Sequence, residues 1–311
     1  MLWHEMFCCD CYVCFFFLMI RRPPRSTLDR SSAASDVYKR QALDMAAGAG
    51  VAHLNVIFAA ARKAGRAVFM PYLVIGHPDV ETSLALVEAL AAAGADLFEL
   101  GIPFSDPLAD GPVIQKATQH ALDHGVTVTA CLAAVHELRT RGVRAGFNLM
   151  GYFNPIMAYG IARFCADAAA AGVDGLIVPD LPPEENGELA AACRHHGLAL
   201  IRFLAPTSTA ARVQMVTQQA EGFLYLVSLT GVTGARDTLP ADLAAFVARV
   251  RALTSIPLAV GFGISTPEQA HSVAQVADGV IVGTGLVKLS LIHIRRRRRA
   301  IEGRTRGGRD H

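Results

Sequence analysis

The stretch VFMPYLVIGHPDVETSLALVEALAAAGADLFELG, residues 68–101, carries the pattern that decides the fold. It opens with a short apolar run, continues from Glu81 with Ala and Leu at helical spacing, reaches Gly94, and ends in a second apolar run from Asp96. Glycine after an amphipathic run is typical of a helix C-terminus, and short apolar runs between turns are typical of buried strands. The stretch therefore predicts a strand, a helix and a second strand.

The same alternation continues to about residue 288, with helical segments such as IARFCADAAAAG from Ile161 between apolar runs. Eight βα units in roughly 240 residues predict an α/β fold, the (β/α)8 or TIM barrel. A doubly wound parallel sheet is the alternative, because strand count alone does not force closure. The remaining predicted strands begin at Ala145, Gly175, Leu198, Gly222, Pro257 and Gly279.

The two ends of the chain differ from this middle. Residues 1–41 hold an apolar run that is too short for a transmembrane helix, and the arginines follow it, which is the reverse of a signal peptide. The stretches FFFLMIRRPPRSTLDRSSAASDVYKRQ and SLIHIRRRRRAIEGRTRGGRDH resemble translated adapter or vector sequence. We therefore expect a non-native-looking leader at 1–41, a catalytic domain at 42–288 and a non-native-looking basic tail at 289–311.

Each end also has a functional alternative. The arginine run at 295–299 is a solvated basic tail or an anchor for nucleic acid or anionic lipid. The leader's four close cysteines are a possible metal site, although no second Cys/His pair stands at zinc-like spacing. They are Cys8, Cys9, Cys11 and Cys14.

The charge distribution argues against a nucleic-acid-binding body. Residues 42–287 hold 14 Lys/Arg against 21 Asp/Glu, a net charge of −7, whereas residues 288–311 carry nine Lys/Arg against two acids. Three scattered cysteines in apolar surroundings fit a reducing cytoplasm without disulfides. Three histidines form no ligand pattern, so they are predicted to lie on the surface or in loops, and no metal is expected. The cysteines are Cys131, Cys165 and Cys193, and the histidines are His77, His195 and His196.

The eighth βα unit looks incomplete, because native-like sequence ends near Lys288 before a final helix can form. All-parallel sheets are normally covered on both faces. The sequence therefore predicts a compromised or less soluble fold for the chain as written.

The chemistry is expected at the C-terminal ends of the strands, where such barrels hold their active sites. Glu99 lies in an apolar run and leads into the loop ELGIPFSDPLADGP, which also holds Asp110. Burial would raise the pKa of the Glu99 carboxyl toward the range useful for general acid-base catalysis. The alternatives are that Glu99 forms a salt bridge with a neighbouring strand and that Asp110 is a turn residue beside Gly111. Asp180, at the end of the fourth strand, is either a pocket-rim residue or a helix cap.

A second group consists of glycines at the ends of the last three strands. Glycines allow backbone N–H groups to approach a ligand closely, and a helix N-terminus after the eighth strand favours an anion. This corner is therefore predicted to bind phosphate. Its members are Gly234, Gly261, Gly263 and Gly283 with Thr284.

From Phe69 to about Lys288 the sequence resembles the tryptophan synthase alpha chain family. ELGIPFSDPLADGP is the most distinctive motif, supported by FMPYLVIGHPD, GYFNPI, VPDLPPEE, APTS, FLYLVSLTGVTG and VGFGIS. The resemblance implies retro-aldol cleavage of indole-3-glycerol phosphate to indole and glyceraldehyde 3-phosphate. It makes Glu99 the acid-base group and Asp110 the carboxylate that pairs with the indole N–H.

The resemblance also assigns the remaining site residues. Tyr225 is the active-site tyrosine that packs and hydrogen-bonds near Glu99, and Thr233 belongs to a closing flap. Thr284 stands where serine is commoner in the family. The implied substrate-binding residues are Tyr72, Tyr152, Thr233, Gly234, Gly263, Gly283 and Thr284.

The resemblance further implies a cytoplasmic α2β2 assembly with a tryptophan synthase beta chain. That partner would hold pyridoxal phosphate, this chain would hold no cofactor, and the loop with Pro103 and Asp106 would lie at the contact. Three alternatives are a non-catalytic activating subunit, a stand-alone lyase that releases indole, and an indole-glycerol-phosphate synthase. The synthase is disfavoured, because no predicted strand ends in a catalytic lysine.

Overall fold

The computed structural model describes residues 48–227, 242–261 and 263–288. Eight parallel strands pair in sequence order, and the eighth pairs with the first to close a barrel. This closure confirms the predicted TIM barrel and excludes the doubly wound sheet.

Every predicted strand is present within one or two residues of its expected position. The strands are β1 (Val68–Val74), β2 (Leu97–Gly101), β3 (Gly146–Met150), β4 (Gly175–Ile177), β5 (Ala199–Leu204), β6 (Leu224–Val227), β7 (Leu258–Gly261) and β8 (Gly279–Val282). The helices are α1 (Val51–Lys63), α2 (Val80–Ala92), α3 (Pro112–Asp123), α4 (Val128–Thr140), α5 (Phe153–Tyr159), α6 (Ile161–Ala171), α7 (Gly187–His195), α8 (Ala210–Gln218), α9 (Leu243–Arg251) and α10 (Pro267–Ala274).

Local sequence explains where the predicted helices begin and end. Asp79 precedes α2, and its carboxylate accepts the backbone N–H of Thr82, which satisfies one of the free donors of the first turn. Gly172 follows α6 in the left-handed conformation, with φ of 89°, as predicted for a glycine at a helix C-terminus.

Helix α1 lies within the predicted domain of residues 42–288, but no helix was predicted there. Its residues Leu54, Ile57 and Phe58 are buried in the core. The Phe58 ring lies 5.5 Å from that of Phe223, just before β6, so α1 packs against the N-terminal end of the barrel.

Three aspartates at this N-terminal end share one arrangement. Each aspartate directly precedes one strand and accepts the N–H of a residue in the strand before it. Each also pairs with an arginine that comes ahead of that earlier strand in the chain. The sets are Asp96 with Phe69 and Arg66, Asp174 with Phe147 and Arg139, and Asp278 with Leu258 and Arg251. These carboxylates join neighbouring strands and have a structural role.

His77 and two of the cysteines pack more closely with other residues than the sequence indicates. His77 lies in the loop after β1 but is buried, and its ring packs edge-on against that of His120 at 5.1 Å. Burial and His120 lower the pKa of His77 to about 4. Cys131, Cys165 and Cys193 are free and buried, as predicted, and the sulfurs of Cys165 and Cys193 lie 3.9 Å apart between α6 and α7.

Several predictions fall outside the described residues: the leader with its four cysteines, the basic tail, and the missing cover over the last strand. Residues 284–288 are helical after β8, and the chain beyond them lies outside the description. Among the described helices, none combines the length and apolar character needed to cross a membrane.

Candidate active site

Glu99 lies on β2 with its side chain inside the barrel. It is level with Tyr72 of β1 and with Asn148 of β3, so the three side chains point inward in one layer. All three are at least 95% buried. The apolar run around Glu99 therefore does place a carboxyl group inside the protein, as predicted.

The loop after β2 turns Asp110 back into the protein. Backbone N–H groups of Leu108 and Asp110 donate to the carbonyls of Asp106 and Pro107, which folds the loop into consecutive tight turns. Leu108 at its tip is 80% exposed, whereas Asp110 is only 5% exposed. Asp110 is therefore a turn residue, as one interpretation had it, but its side chain is buried rather than directed into solvent.

Burial dominates the electrostatics of both carboxyl groups. Desolvation, with a contribution from the Asp110 charge, raises the pKa of Glu99 to about 8. Desolvation raises the pKa of Asp110 to about 6. Neither carboxyl group pairs with a basic side chain in the described part of the chain, so the salt-bridge alternative for Glu99 is not supported. Around neutral pH the pair can therefore hold one proton between them.

Two glycines make room for the tyrosines of the barrel interior. A Cβ atom on Gly101 would overlap the Tyr72 hydroxyl, and one on Gly261 would overlap the Tyr225 hydroxyl. Burial and the charges of the two carboxylates raise the pKa of both tyrosines, which keeps the phenols neutral. The structure thus brings Tyr225 near Glu99, as predicted, and also places Tyr72 beside Glu99.

Tyr152, after β3, fixes the Asp110 loop. Its hydroxyl accepts the backbone N–H of Ala109 at 2.9 Å, and its ring lies 5.4 Å from that of Phe104. A hydrogen bond from Tyr152 to the Asp110 carboxylate opposes the effect of burial and lowers the pKa of Asp110. Tyr152 therefore both holds the loop and favours the ionised form of Asp110.

The glycine-rich corner is partly described. The loop after β7 contains Gly263, with φ of 79°. The same loop contacts the segment after β8, because the carbonyl oxygen of Ser265 lies 3.1 Å from the position that a Cβ atom on Gly285 would take. The Gly283 carbonyl accepts N–H groups of the helical turn that begins at Thr284. Gly263, Gly283 and Thr284 thus lie in adjoining loops, while Thr233 and Gly234 lie outside the described residues.

Two residues of the site escaped the sequence analysis. Asn148 is fully buried beside Glu99, and its side-chain amide has no hydrogen-bond partner among the described residues. Its signal was a single amide in the apolar strand GFNLM. The Phe203 ring of β5 lies 4.8 Å from the Tyr225 ring, and one more apolar residue in a strand gives no distinguishing signal.

The remaining polar assignments are structural. Both carboxylate oxygens of Asp180 accept the Phe153 N–H, at 3.0 and 3.2 Å. Asp180 therefore caps α5, which was one of the two roles predicted for it. Across the described ranges, no group of three or more His, Cys, Asp or Glu side chains is arranged to hold a metal ion.

Comparison with known proteins agrees with this site. The family model described as "Tryptophan synthase alpha chain" matches residues 58–304. The tryptophan synthase alpha chain of Chloroflexus aurantiacus is 57% identical over 230 residues, which cover 74% of this chain and 86% of the relative. That of Geobacter sp. is 54% identical, with 74% and 86% covered.

Solved structures give the same result. A Mycobacterium tuberculosis tryptophan synthase structure is 43% identical and has a TM-score of 0.71, covering 76% of this chain and 90% of that one. The tryptophan synthase subunit alpha of Legionella pneumophila is 39% identical with a TM-score of 0.70, covering 76% and 87%. The chain belongs to the tryptophan synthase alpha chain family.

Proposed function

We propose that Glu99 and Asp110 divide the acid-base and electrostatic work of this chain's reaction. Membership in the family makes the chain the alpha subunit of tryptophan biosynthesis, a carbon-carbon lyase that cleaves indole-3-glycerol phosphate to indole and glyceraldehyde 3-phosphate. The observation that carries the assignment is the buried Glu99 carboxyl, free of an ion pair in the described chain and with its pKa raised to about 8.

Glu99 begins the cycle as a neutral acid at neutral pH. It gives its proton to the indole C3, which turns that carbon into part of a leaving group. The resulting carboxylate then takes the proton of the side-chain hydroxyl while the bond to C3 breaks, releasing the aldehyde and indole. The proton count closes, because Glu99 ends protonated again.

Asp110 acts as the charged partner. With a pKa of about 6 it is mostly ionised at neutral pH, and it accepts the indole N–H as positive charge develops on that nitrogen after protonation of C3. Two carboxyl groups in different environments thus take different roles.

The tyrosines and the glycine corner bind the substrate. Tyr72 and Tyr152 line the indole end, and Tyr225 packs and hydrogen-bonds near Glu99 without transferring a proton. The adjoining loops with Gly263 and Gly283, together with the turn at Thr284, supply backbone N–H groups for the phosphate. Thr233 and Gly234 complete this corner and the closing flap in the proposal.

The partner is proposed to be a tryptophan synthase beta chain in an α2β2 assembly. Pyridoxal phosphate belongs to that chain in this proposal, and the exposed tip of the loop that holds Pro103 and Asp106 meets it. The compartment is proposed to be the cytoplasm, where buried thiols stay reduced. We propose that residues 42–288 form the catalytic domain and that residues 1–41 and 289–311 are non-native-looking additions to it.

The single-residue test is Glu99→Gln, which keeps the side chain's shape and removes its acidity. Release of glyceraldehyde 3-phosphate from indole-3-glycerol phosphate is expected to fall by about 10³-fold, the size of a general acid-base contribution. The matched control is Glu88→Gln, which changes a partly exposed glutamate on α2 and should leave turnover unchanged.

The same assay separates the alternatives. Turnover that rises when a beta chain is added supports the complete subunit, and turnover that is indifferent to it supports a stand-alone lyase. A Glu99→Gln variant within tenfold of the unaltered chain would refute the acid-base assignment.

A further inference from the structure

A second cavity lies at the C-terminal ends of β4 and β5, against the loop of residues 178–183. Its volume is about 310 Å³. The wall is about equally polar and apolar. Its apolar part includes Pro179, Pro182, Pro183 and Leu200, and its polar part includes Asp180, Asn186, Arg202 and Arg212. Pockets that bind small organic molecules combine apolar surface with a few polar groups that fix the ligand's orientation. None of the proposed catalytic residues lines this cavity.

The unusual member of its wall is Arg202. It lies on β5 and is only 5% exposed, and alternation along the strand directs it away from the barrel interior, near Cys193 of α7. Its Nε is buried without a hydrogen-bond partner, and its guanidinium makes no ion pair with any described residue. Burial lowers the pKa of Arg202. An arginine nevertheless keeps its charge in proteins, so this burial is costly unless an anion compensates it.

Of the other charged groups of the cavity, Arg212 has an ionic partner, whereas Asp180 has a hydrogen bond but no cation beside it among the described residues. Both Asp180 oxygens accept the Phe153 N–H, and Arg212 forms an ion pair with Glu184. Among more distant charges, Glu221 favours the charged Arg202 and Arg194 opposes it. Within the described part of the chain, Arg202 is therefore the cation of this cavity that remains available to a ligand.

We propose that this cavity, the Arg202 cavity, binds a small organic carboxylate whose apolar body lies against the proline-rich wall. A guanidinium presents two parallel N–H groups that match a carboxylate, and such charge-assisted pairs are strong and directional. Asn186, which is also buried in the wall, offers an amide for a further polar contact. A purely inorganic anion would leave the apolar part of the wall without a partner, which favours an organic acid.

The test uses benzoate as the probe and benzamide as its uncharged match, each titrated into the full chain by calorimetry. Benzoate is expected to bind and benzamide to bind at least about tenfold more weakly, because only benzoate completes the charged pair. Arg202→Met is expected to weaken benzoate binding by about tenfold or more. Arg194→Met, which removes a nearby charge outside the cavity wall, should leave binding within about threefold.

Two controls keep the result interpretable. Arg202→Met removes a buried charge without an ion pair, so its melting temperature should not fall below that of the unaltered chain, and Arg202→Lys should bind benzoate with intermediate affinity. Indole-3-propanol phosphate, a non-cleavable relative of the substrate, should not displace benzoate. Absence of benzoate binding, equal binding of benzamide, equal binding by Arg202→Met, or displacement by the substrate relative would each overturn the proposal.

Discussion

The two ends of the barrel hold buried carboxyl groups in opposite circumstances. At the N-terminal end, Asp174 is fully buried and accepts from Arg139 and from the backbone N–H groups of Gly50 and Phe147. At the C-terminal end, Glu99 is equally enclosed, but it has no ion pair among the described residues and its pKa is raised. The same functional group therefore stabilises one end and provides chemistry at the other.

The difference shows how a single barrel separates stability from activity. A buried carboxylate surrounded by donors joins neighbouring strands, whereas one surrounded by apolar groups and another carboxylate holds a proton near neutral pH. Each of the next predictions tests whether the two ends differ in this way.

The largest contrast is expected between Asp174→Asn and Glu99→Gln. Asp174→Asn leaves the guanidinium of Arg139 without its buried partner, and we expect a loss of about 3–5 kcal/mol in the free energy of unfolding. Glu99→Gln should abolish most turnover and cost no stability. Chemical denaturation and turnover of both variants measure the two effects.

The sign of the Glu99 effect follows from its pKa. Because the folded pKa of about 8 exceeds the unfolded value of 4.5, the folded state is favoured by the neutral carboxyl and loses stability as pH rises toward and through 8. Glu99→Gln should therefore be more stable than the unaltered chain above pH 8. Equal losses of stability in the two variants would break the comparison between the ends.

The next effect concerns the coupling between the two carboxyl groups at the mouth. The negative charge of Asp110 contributes to the raised pKa of Glu99. Asp110→Asn removes this charge, and the pKa of Glu99 should therefore fall below about 8. The substitution also removes the partner of the indole N–H, and kcat/KM should decrease by about 10²-fold. The pH profile of kcat/KM in this variant measures both changes, and an unshifted basic limb would contradict the coupling.

The unaltered chain should show a bell-shaped dependence of kcat/KM on pH. The acidic limb reflects ionisation of Asp110 at about 6, and the basic limb reflects loss of the Glu99 proton at about 8. Since the two groups interact, these limbs belong to the pair. A profile that is flat from pH 5 to 9 would show that the site does not need one proton shared between two carboxyl groups.

The smallest effect is expected for Tyr152→Phe. The change removes the hydroxyl that accepts the Ala109 N–H and the hydrogen bond that lowers the pKa of Asp110, at a cost of about 1 kcal/mol. The acidic limb should move to higher pH while the basic limb stays in place. Tyr159→Phe, which removes a tyrosine hydroxyl bonded to Asp167 away from the mouth, is the matched control and should shift neither limb.

Much of the fold could be predicted from the sequence, since apolar strands and glycine-terminated helices are local patterns. Eight strands followed from those runs, whereas closure of the barrel is settled by the pairing of β8 with β1, which strand count alone does not force. Helix α1 was missed because its role in closing the N-terminal end depends on contacts with distant residues such as Phe223. The neighbouring sulfurs of Cys165 and Cys193 likewise arise from packing between two helices, which spacing along the chain does not show.

The site was predictable where a polar residue interrupts an apolar run. Glu99 was found in this way, and Asn148 offered the same signal in β3. The burial of Asp110 was not predictable, because it depends on the turns that fold the loop back and on Tyr152, which is 42 residues away along the chain from Asp110. Long-range contacts of this kind decide whether a loop carboxylate is solvated or desolvated.

The most direct test of the account is a carbon-13 NMR titration of the Glu99 carboxyl in the otherwise unaltered chain. Selective labelling of glutamate carboxyl carbons, with Glu99→Gln to assign the signal, follows that single group. The account predicts a midpoint near 8 that falls when Asp110 is replaced by Asn. A midpoint near the ordinary value of 4.5 would show that burial does not keep Glu99 protonated at neutral pH, and would contradict its role as the proton donor.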